Sequence, residues 1–151
     1  MAEVIDPMTV ALAEARLAFE KGEVPVGAVI TDEAGQILSR AHNLVETTGK
    51  ATAHAELLAV QSAMDVLGSK HLGNCDIWVT LEPCAMCAGA LAHARIRRLY
   101  FAAPDPKGGA VEHGPCLFNQ PTLHHRPEIY GGIQEKEAAD LLRCFFKARR
   151  G

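Results

Sequence analysis

The sequence predicts an α/β protein whose mixed central sheet is covered by helices on both faces. Two observations carry this. Short runs rich in β-branched and apolar residues alternate with longer runs of helical composition, in the order α-β-β-α-β-α-β-(β)-α. Such alternation is the mark of a layered α/β sheet. The 151 residues also match one ordinary domain, and a chain of that length buries roughly two thirds of its unfolded surface without disulfides or a structural metal. No internal repeat, low-complexity stretch or linker interrupts it, so residues 1–151 read as a single domain.

The elements follow in order. Asp6-Pro7 is a helix start, an N-cap residue before a first-turn proline. The run that follows places Val10, Ala13, Leu17 and with them Met8 on one apolar face, and Gly22 ends it. Residues 26–31 and 36–41 are β-rich runs around the turn "DEAG", which predicts a hairpin. The polar stretch "HNLVETTGK" reads as a loop, and residues 51–68 as a helix ending at Gly68. "CDIWVTLE" is a short apolar strand, "CAMCAGALAHA" an alanine-rich helix, and "IRRLYFAA" a further strand. Residues 104–127 form a long loop with prolines, glycines and histidines, and loops of that length are uncommon and often functional. "EIYGG" reads as a short strand. A closing helix presents Ile133, Ala138, Leu141, Leu142 and Phe145 on its apolar side.

The net charge of −3 argues against a polyanion binder that uses its whole surface, but "ARIRR" (94–98) and "KARR" (147–150) are local basic runs, and local patches decide whether a polyanion docks. Solvated surface is the other reading of these arginines. No apolar run reaches membrane-spanning length. Glu3 and Asp6 stand where a secretory signal would carry basic charge, so the N-terminus reads as mature protein. Five cysteines, two of them a close pair, favour reduced thiols in a cytoplasmic setting over a disulfide framework.

That pair, Cys84 and Cys87, lies three residues apart at the start of a predicted helix, on one face. A helix N-terminus favours the thiolate, the form that binds metal. Two sulfurs do not complete a site. The third ligand that stands out is His54 in "TAHAE", also at a helix start, with Glu56 two residues on. Three protein ligands leave the fourth tetrahedral position of a Zn2+ ion for water, whose pKa the metal lowers toward ~7. Glu56 is then placed to take the water's proton and deliver it elsewhere. A lone histidine or a lone cysteine pair would more often be structural or redox-active; the combination of H-A-E with P-C-x-x-C is far more specific. Cys75, Cys116 and Cys144 have no such partner and read as structural thiols. His93, His113, His124 and His125 read as surface histidines, with an RNA contact as the alternative for His124 and His125.

His54-Ala-Glu56 with Pro83-Cys84-Ala-Met-Cys87 resembles the signature of the zinc-dependent nucleobase deaminases. "EVPVGAVI", "HN", "TLEPCAMCAGA", "ARIRRLYFAAPDPKGGA", "HHRPEIYGGI" and "FFKARR" are similar to the bacterial tRNA-specific adenosine deaminases, over nearly the whole chain. "VEHGPCLFNQPTL" departs from the better-known members. The resemblance implies a three-layer α/β/α sandwich with a mixed five-stranded sheet, of the cytidine deaminase-like type. It implies a homodimer and hydrolytic deamination of adenosine to inosine at the first (wobble) anticodon position of a tRNA, with an arginine tRNA expected. The tRNA anticodon stem-loop is then the partner. It further implies that Asn43 contacts the target nucleoside (an ordinary turn asparagine is the alternative), that Ala55 offers its backbone to the base, and that Asp105 contacts flanking nucleotides (or merely shapes a turn). Lys107, Phe146, Arg149 and Arg150 are the remaining expected RNA contacts, Phe146 being equally a core candidate. A flipped loop base suits stacking and edge contacts, and a basic tail on the RNA backbone makes binding salt-dependent. Two rivals stand beside this reading. A deaminase of a free nucleobase or nucleoside, such as guanine or cytosine, uses the same chemistry but has no need of "DPKGG" or a basic C-terminal helix. A zinc-stabilised binding module needs a fourth protein ligand and has no use for Glu56.

Overall fold

The computed structural model describes residues 5–150, and of Arg150 the backbone alone; Glu3 and the Arg150 side chain lie outside the described residues. Among the described residues no helix is long and apolar enough to cross a membrane. Helix α1 (Pro7–Glu20) begins as its sequence requires, with the Asp6 carboxylate accepting from the Met8 N–H at 3.0 Å and proline in the first turn. Strands β1 (Gly27–Thr31) and β2 (Ile37–His42) form the expected antiparallel hairpin. The polar stretch after it is not wholly loop. One helical turn, α2 (Val45–Thr48), forms there because the buried Glu23 carboxylate accepts from the Glu46 and Thr47 N–H groups, a cap supplied from 23 residues away that local composition does not reveal.

Helix α3 (Ala55–Leu67), strand β3 (Asp76–Leu81), helix α4 (Ala85–Ala94) and strand β4 (Arg98–Ala103) follow. The long loop holds a single 3-10 turn, Leu117–Asn119, before the short strand β5 (Glu128–Tyr130) and helix α5 (Glu135–Arg150). The five strands make one mixed sheet in the order β2-β1-β3-β4-β5. The β2-β1 and β1-β3 pairs are antiparallel, and the β3-β4 and β4-β5 pairs parallel.

Alternation along the strands sends side chains to opposite faces. Ala28, Ile30, Ile77, Val79, Leu99 and Phe101 pack under α3 and α4. Val29, Trp78, Tyr100 and Ala102 pack under α1 and α5. The result is the three-layer α/β/α sandwich.

One expectation is corrected. The face that α1 turns to the sheet is Met8, Ala11, Leu12, Ala15 and Ala18, while Leu17 is 42 % exposed and Val10 and Ala13 are only half-buried. The cause is the close crossing of α1 over β1. A Cβ on Gly27 would lie 2.0 Å from the Ala11 carbonyl oxygen and 2.7 Å from the Ala15 nitrogen. Only small residues fit that line of contact, so Ala11 and Ala15 occupy it, with Met8 and Leu12 buried to either side. On α5 the expected side holds for Ala138 and Phe145, which are buried, and for Leu141 and Leu142, half-buried, while Ile133, also half-buried, lies before the helix begins at Glu135.

Candidate active site

Two loop-to-helix junctions build the site. α3 and α4 both point their N-termini at one end of the sheet, where β3 finishes. His54 is the N-cap of α3 and Cys84 the N-cap of α4, and neither side chain is used to cap its own helix. Both are therefore free to turn toward each other. Cys87, one turn into α4, is fully buried beneath them. His54 Nδ1 lies 3.7 Å from Cys84 Sγ and 3.7 Å from Cys87 Sγ, and the three donor atoms all fall within 4.8 Å of one another.

This geometry fits a tetrahedral ion. Zn–S bonds of ~2.3 Å and Zn–N bonds of ~2.0 Å at tetrahedral angles place sulfur and nitrogen about 3.5 Å apart. Among the described residues it is the one group of three or more such donors held so close. The two thiols share a proton unequally. A hydrogen bond from Cys87, with backbone N–H groups of Cys87 and Met86 at the helix start, pulls the Cys84 thiol down to about 5 against the effect of burial. The same bond, together with burial, pushes the Cys87 thiol up. One thiolate is thus ready-made, and an incoming cation displaces the remaining proton.

Glu56 occupies the first turn of α3 and is 5 % exposed. Burial is the chief reason its carboxyl is pushed up to about 7. A carboxyl that titrates there both accepts and returns a proton at neutral pH. It lines, with His54 and Cys84, a cavity of about 570 Å³ whose other walls include Asn43, Asp105 and Phe146. The volume suits a small ring system with part of its attached chain.

The remaining expected residues fall as follows. Asn43 reaches the cavity, and its Oδ1 accepts the Ala55 N–H at 2.8 Å. Ala55 is fully buried behind it, with its N–H engaged by Asn43. Asp105 lines the cavity and also makes a turn, Oδ1 accepting from the N–H groups of Lys107 (3.2 Å) and Gly108 (3.0 Å). Lys107 lines an adjoining cavity that shares Asp105, Phe146 and Arg149 with the first. Phe146 is 46 % exposed and stands in both, which removes it from the core. Arg149 also borders both, but its guanidinium is tied inward: it donates to the Gly22 carbonyl and lies 4.6 Å over the Phe145 ring. Cys75 is buried in the core as expected of a structural thiol, Cys116 is half-buried and Cys144 exposed. His93 and His124 are exposed with rings 5.6 Å apart, and His125 bonds the Ile96 carbonyl at 2.7 Å.

Two residues of the site were not singled out from sequence. Glu23 caps α2 and lines the cavity. Glu82, between β3 and Cys84, is 2 % exposed and also lines it. Burial opposes ionisation of Glu82, yet hydrogen bonds from the Asp105 N–H, the His113 ring and the Glu112 and Val111 N–H groups outweigh it and hold the carboxyl below its ordinary range. The available signals were glutamates embedded in "EVPVG" and "LEPC", next to residues with obvious work.

Comparison with known proteins agrees with this geometry. The sequence model of the cytidine and deoxycytidylate deaminase zinc-binding region matches residues 1–103. The tRNA-specific adenosine deaminase of Agrobacterium fabrum is 49 % identical over 150 residues, covering 99 % of this chain and 98 % of that protein. The tRNA-specific adenosine deaminase of Bacillus subtilis is 43 % identical over 143 residues, covering 95 % and 88 %. A solved structure from a study of A-to-I editing by tRNA:A34 deaminases at the wobble position of transfer RNA superposes with a TM-score of 0.88 at 49 % identity, covering 90 % of this chain and 98 % of that one. Guanine deaminase from Bacillus subtilis superposes with a TM-score of 0.63 at 28 % identity, covering 95 % and 91 %. The chain belongs to the cytidine and deoxycytidylate deaminase family and, within it, to the tRNA-specific adenosine deaminases. It is an enzyme acting on carbon–nitrogen bonds.

Proposed function

We propose that this chain hydrolyses adenosine to inosine at the wobble position of a tRNA anticodon, that of an arginine tRNA, as one catalytic domain holding Zn2+ on His54, Cys84 and Cys87. The observation that carries the proposal is the pairing of that three-donor cluster with one buried carboxyl, Glu56, in an open cavity. The relatives' substrate supports the choice of RNA.

Zinc, when bound, supplies the Lewis acidity that makes water a nucleophile near neutral pH. The residues of the chain do the rest. Glu56 takes one proton of the attacking water and delivers it to N1 of the adenine ring, then takes the proton of the new C6 hydroxyl and gives it to the departing amine. Addition at C6, loss of ammonia and formation of the ring carbonyl balance as hydrolysis. Asn43, held by the Ala55 amide, presents its side chain to the nucleoside at the cavity wall. Asp105, Lys107 and Phe146 border the way in, where flanking nucleotides of a splayed loop would stack and pair. Arg149 and Arg150 contribute positive charge at the end of α5.

The protein acts as a homodimer in the cytoplasm, where tRNA is found.

Free-base deamination is the second reading. It is favoured by the likeness to guanine deaminase. The test is an inosine assay with zinc-loaded protein. Its substrates are an anticodon stem-loop with adenosine at the first anticodon position, the same RNA with that adenosine moved one place, and free adenosine, guanine and cytosine. Inosine in the first RNA alone supports the proposal, and turnover of a free base alone rejects it.

A further inference from the structure

The most heavily hydrogen-bonded side chain in the site has no part in the chemistry above. Glu82 leaves the end of β3 two residues before Cys84, and its carboxylate is the hub around which residues 105–113 are wound. Oε1 accepts from the Asp105 N–H at 3.0 Å and faces His113 Nδ1 at 2.8 Å. Oε2 accepts from the N–H groups of Val111 (3.0 Å), Glu112 (2.9 Å) and His113 (3.2 Å). Converging backbone N–H groups form an anion cradle, and here the anion is a side chain of the same protein.

The loop is cut to fit. A Cβ on Gly109 would lie 2.5 Å from the Glu82 carboxyl carbon and 2.6 Å from the Asp105 carbonyl oxygen, so the chain passes there only as glycine. The Ala110 N–H donates to the Pro83 carbonyl at 2.9 Å, closing the loop against the residue that precedes Cys84. Asp105 and Gly108, which wall the cavity, hang from this anchorage at one end, and His113 fastens it at the other. His113 falls in "VEHGPCLFNQPTL", the stretch that departs from the better-known members of the family.

We propose that Glu82 and His113 are positioning residues that fix the substrate-facing loop 105–113 at a set distance from the ligand-bearing start of α4, and so govern how tightly the substrate is held. The inference rests on the proposed function for the identity of that substrate. Cys84 and Cys87 are held by α4 itself, as its N-cap and third residue. Loosening the loop therefore raises KM and leaves metal content and kcat largely intact.

The test uses zinc-loaded Glu82→Gln and His113→Ala proteins with the stem-loop substrate. Zinc content, melting temperature, KM, kcat and stem-loop affinity by fluorescence anisotropy are all measured. An amide at residue 82 turns one acceptor into a donor facing N–H groups, so Glu82→Gln should raise KM and Kd about tenfold, equivalent to ~1.4 kcal/mol. His113→Ala removes one partner of five and should raise them about threefold. The His113 side chain is 34 % exposed, so that variant folds and carries the test if Glu82→Gln does not. A His113→Ala protein with unchanged KM and Kd overturns the inference, as does a parallel fall of zinc content, kcat and melting temperature with KM constant, which marks a purely structural tie. A wild-type protein that neither binds nor deaminates the stem-loop sinks the functional reading first and this inference with it.

Discussion

Asn43 offers a quantitative test of how the site is held. Its Oδ1 accepts the N–H of Ala55 at 2.8 Å. Ala55 is the first residue of α3, fully buried, and the N-cap His54 supplies no side-chain bond to the helix. Helix N-termini leave their first amides without internal partners, so Asn43→Ala strands a buried N–H. Such a loss costs about 1–3 kcal/mol, and loss of an N-cap about 0.5–2, so ~2 kcal/mol is expected. For a chain of this size each kcal/mol moves the melting temperature by about 2–4 °C, which sets the drop at ~4–8 °C. Calorimetry in fixed excess zinc measures it. Asn43→Asp keeps an acceptor at a helix N-terminus and should recover the larger part. A melting temperature for Asn43→Ala within about 1 °C of wild type would refute the argument, because the amide would then have found water or another partner.

Other expectations follow from single contacts. Gly27→Ala drives a methyl into the Ala11 carbonyl at 2.0 Å; it should cost upwards of ~3 kcal/mol and be visible in urea denaturation. Cys87→Ser should lower bound zinc measured by atomic absorption, because the oxygen neither reaches nor suits the ion as sulfur does, and undiminished zinc would reject the ligand assignment. Glu14 gives a pH dependence. Burial alone would raise its carboxyl, but hydrogen bonds from His42 at 2.9 Å and Arg40 at 2.8 Å outweigh that and hold it below its ordinary 4.5. A folded value below the unfolded one adds stability that is present in full above about pH 4.5 and lost as pH falls through the folded value. Glu14→Gln should therefore flatten the acid limb of the stability curve, and an unchanged limb would count against the network.

How far the sequence could be read depended on the range of the cause. His54, Glu56, Cys84 and Cys87 were legible because each sits at a local helix start that residue types alone announce, and chemistry demands their combination. The strands and the hairpin were legible from β-rich runs and turn residues. The inward face of α1 was not, because the packing that selects Ala11, Ala15 and Ala18 over Leu17 is set by Gly27 on another element. α2 is not legible as a helix because its cap, Glu23, comes from beyond the segment. The role of Glu82 is hidden for the same reason: its partners lie 23 to 31 residues away. Arg149 read as free positive charge, and only the fold shows it tied to Gly22 and Phe145.

The most direct test of the central claim is a single preparation of Glu56→Ala, loaded with zinc and assayed on the anticodon stem-loop. Glu56 is buried beside the ligand cluster without belonging to it, so the variant should keep its zinc while inosine formation falls by about 10²–10⁴-fold. Near-normal turnover with zinc retained would contradict the account, since the proton must then travel by a route that does not include this carboxyl.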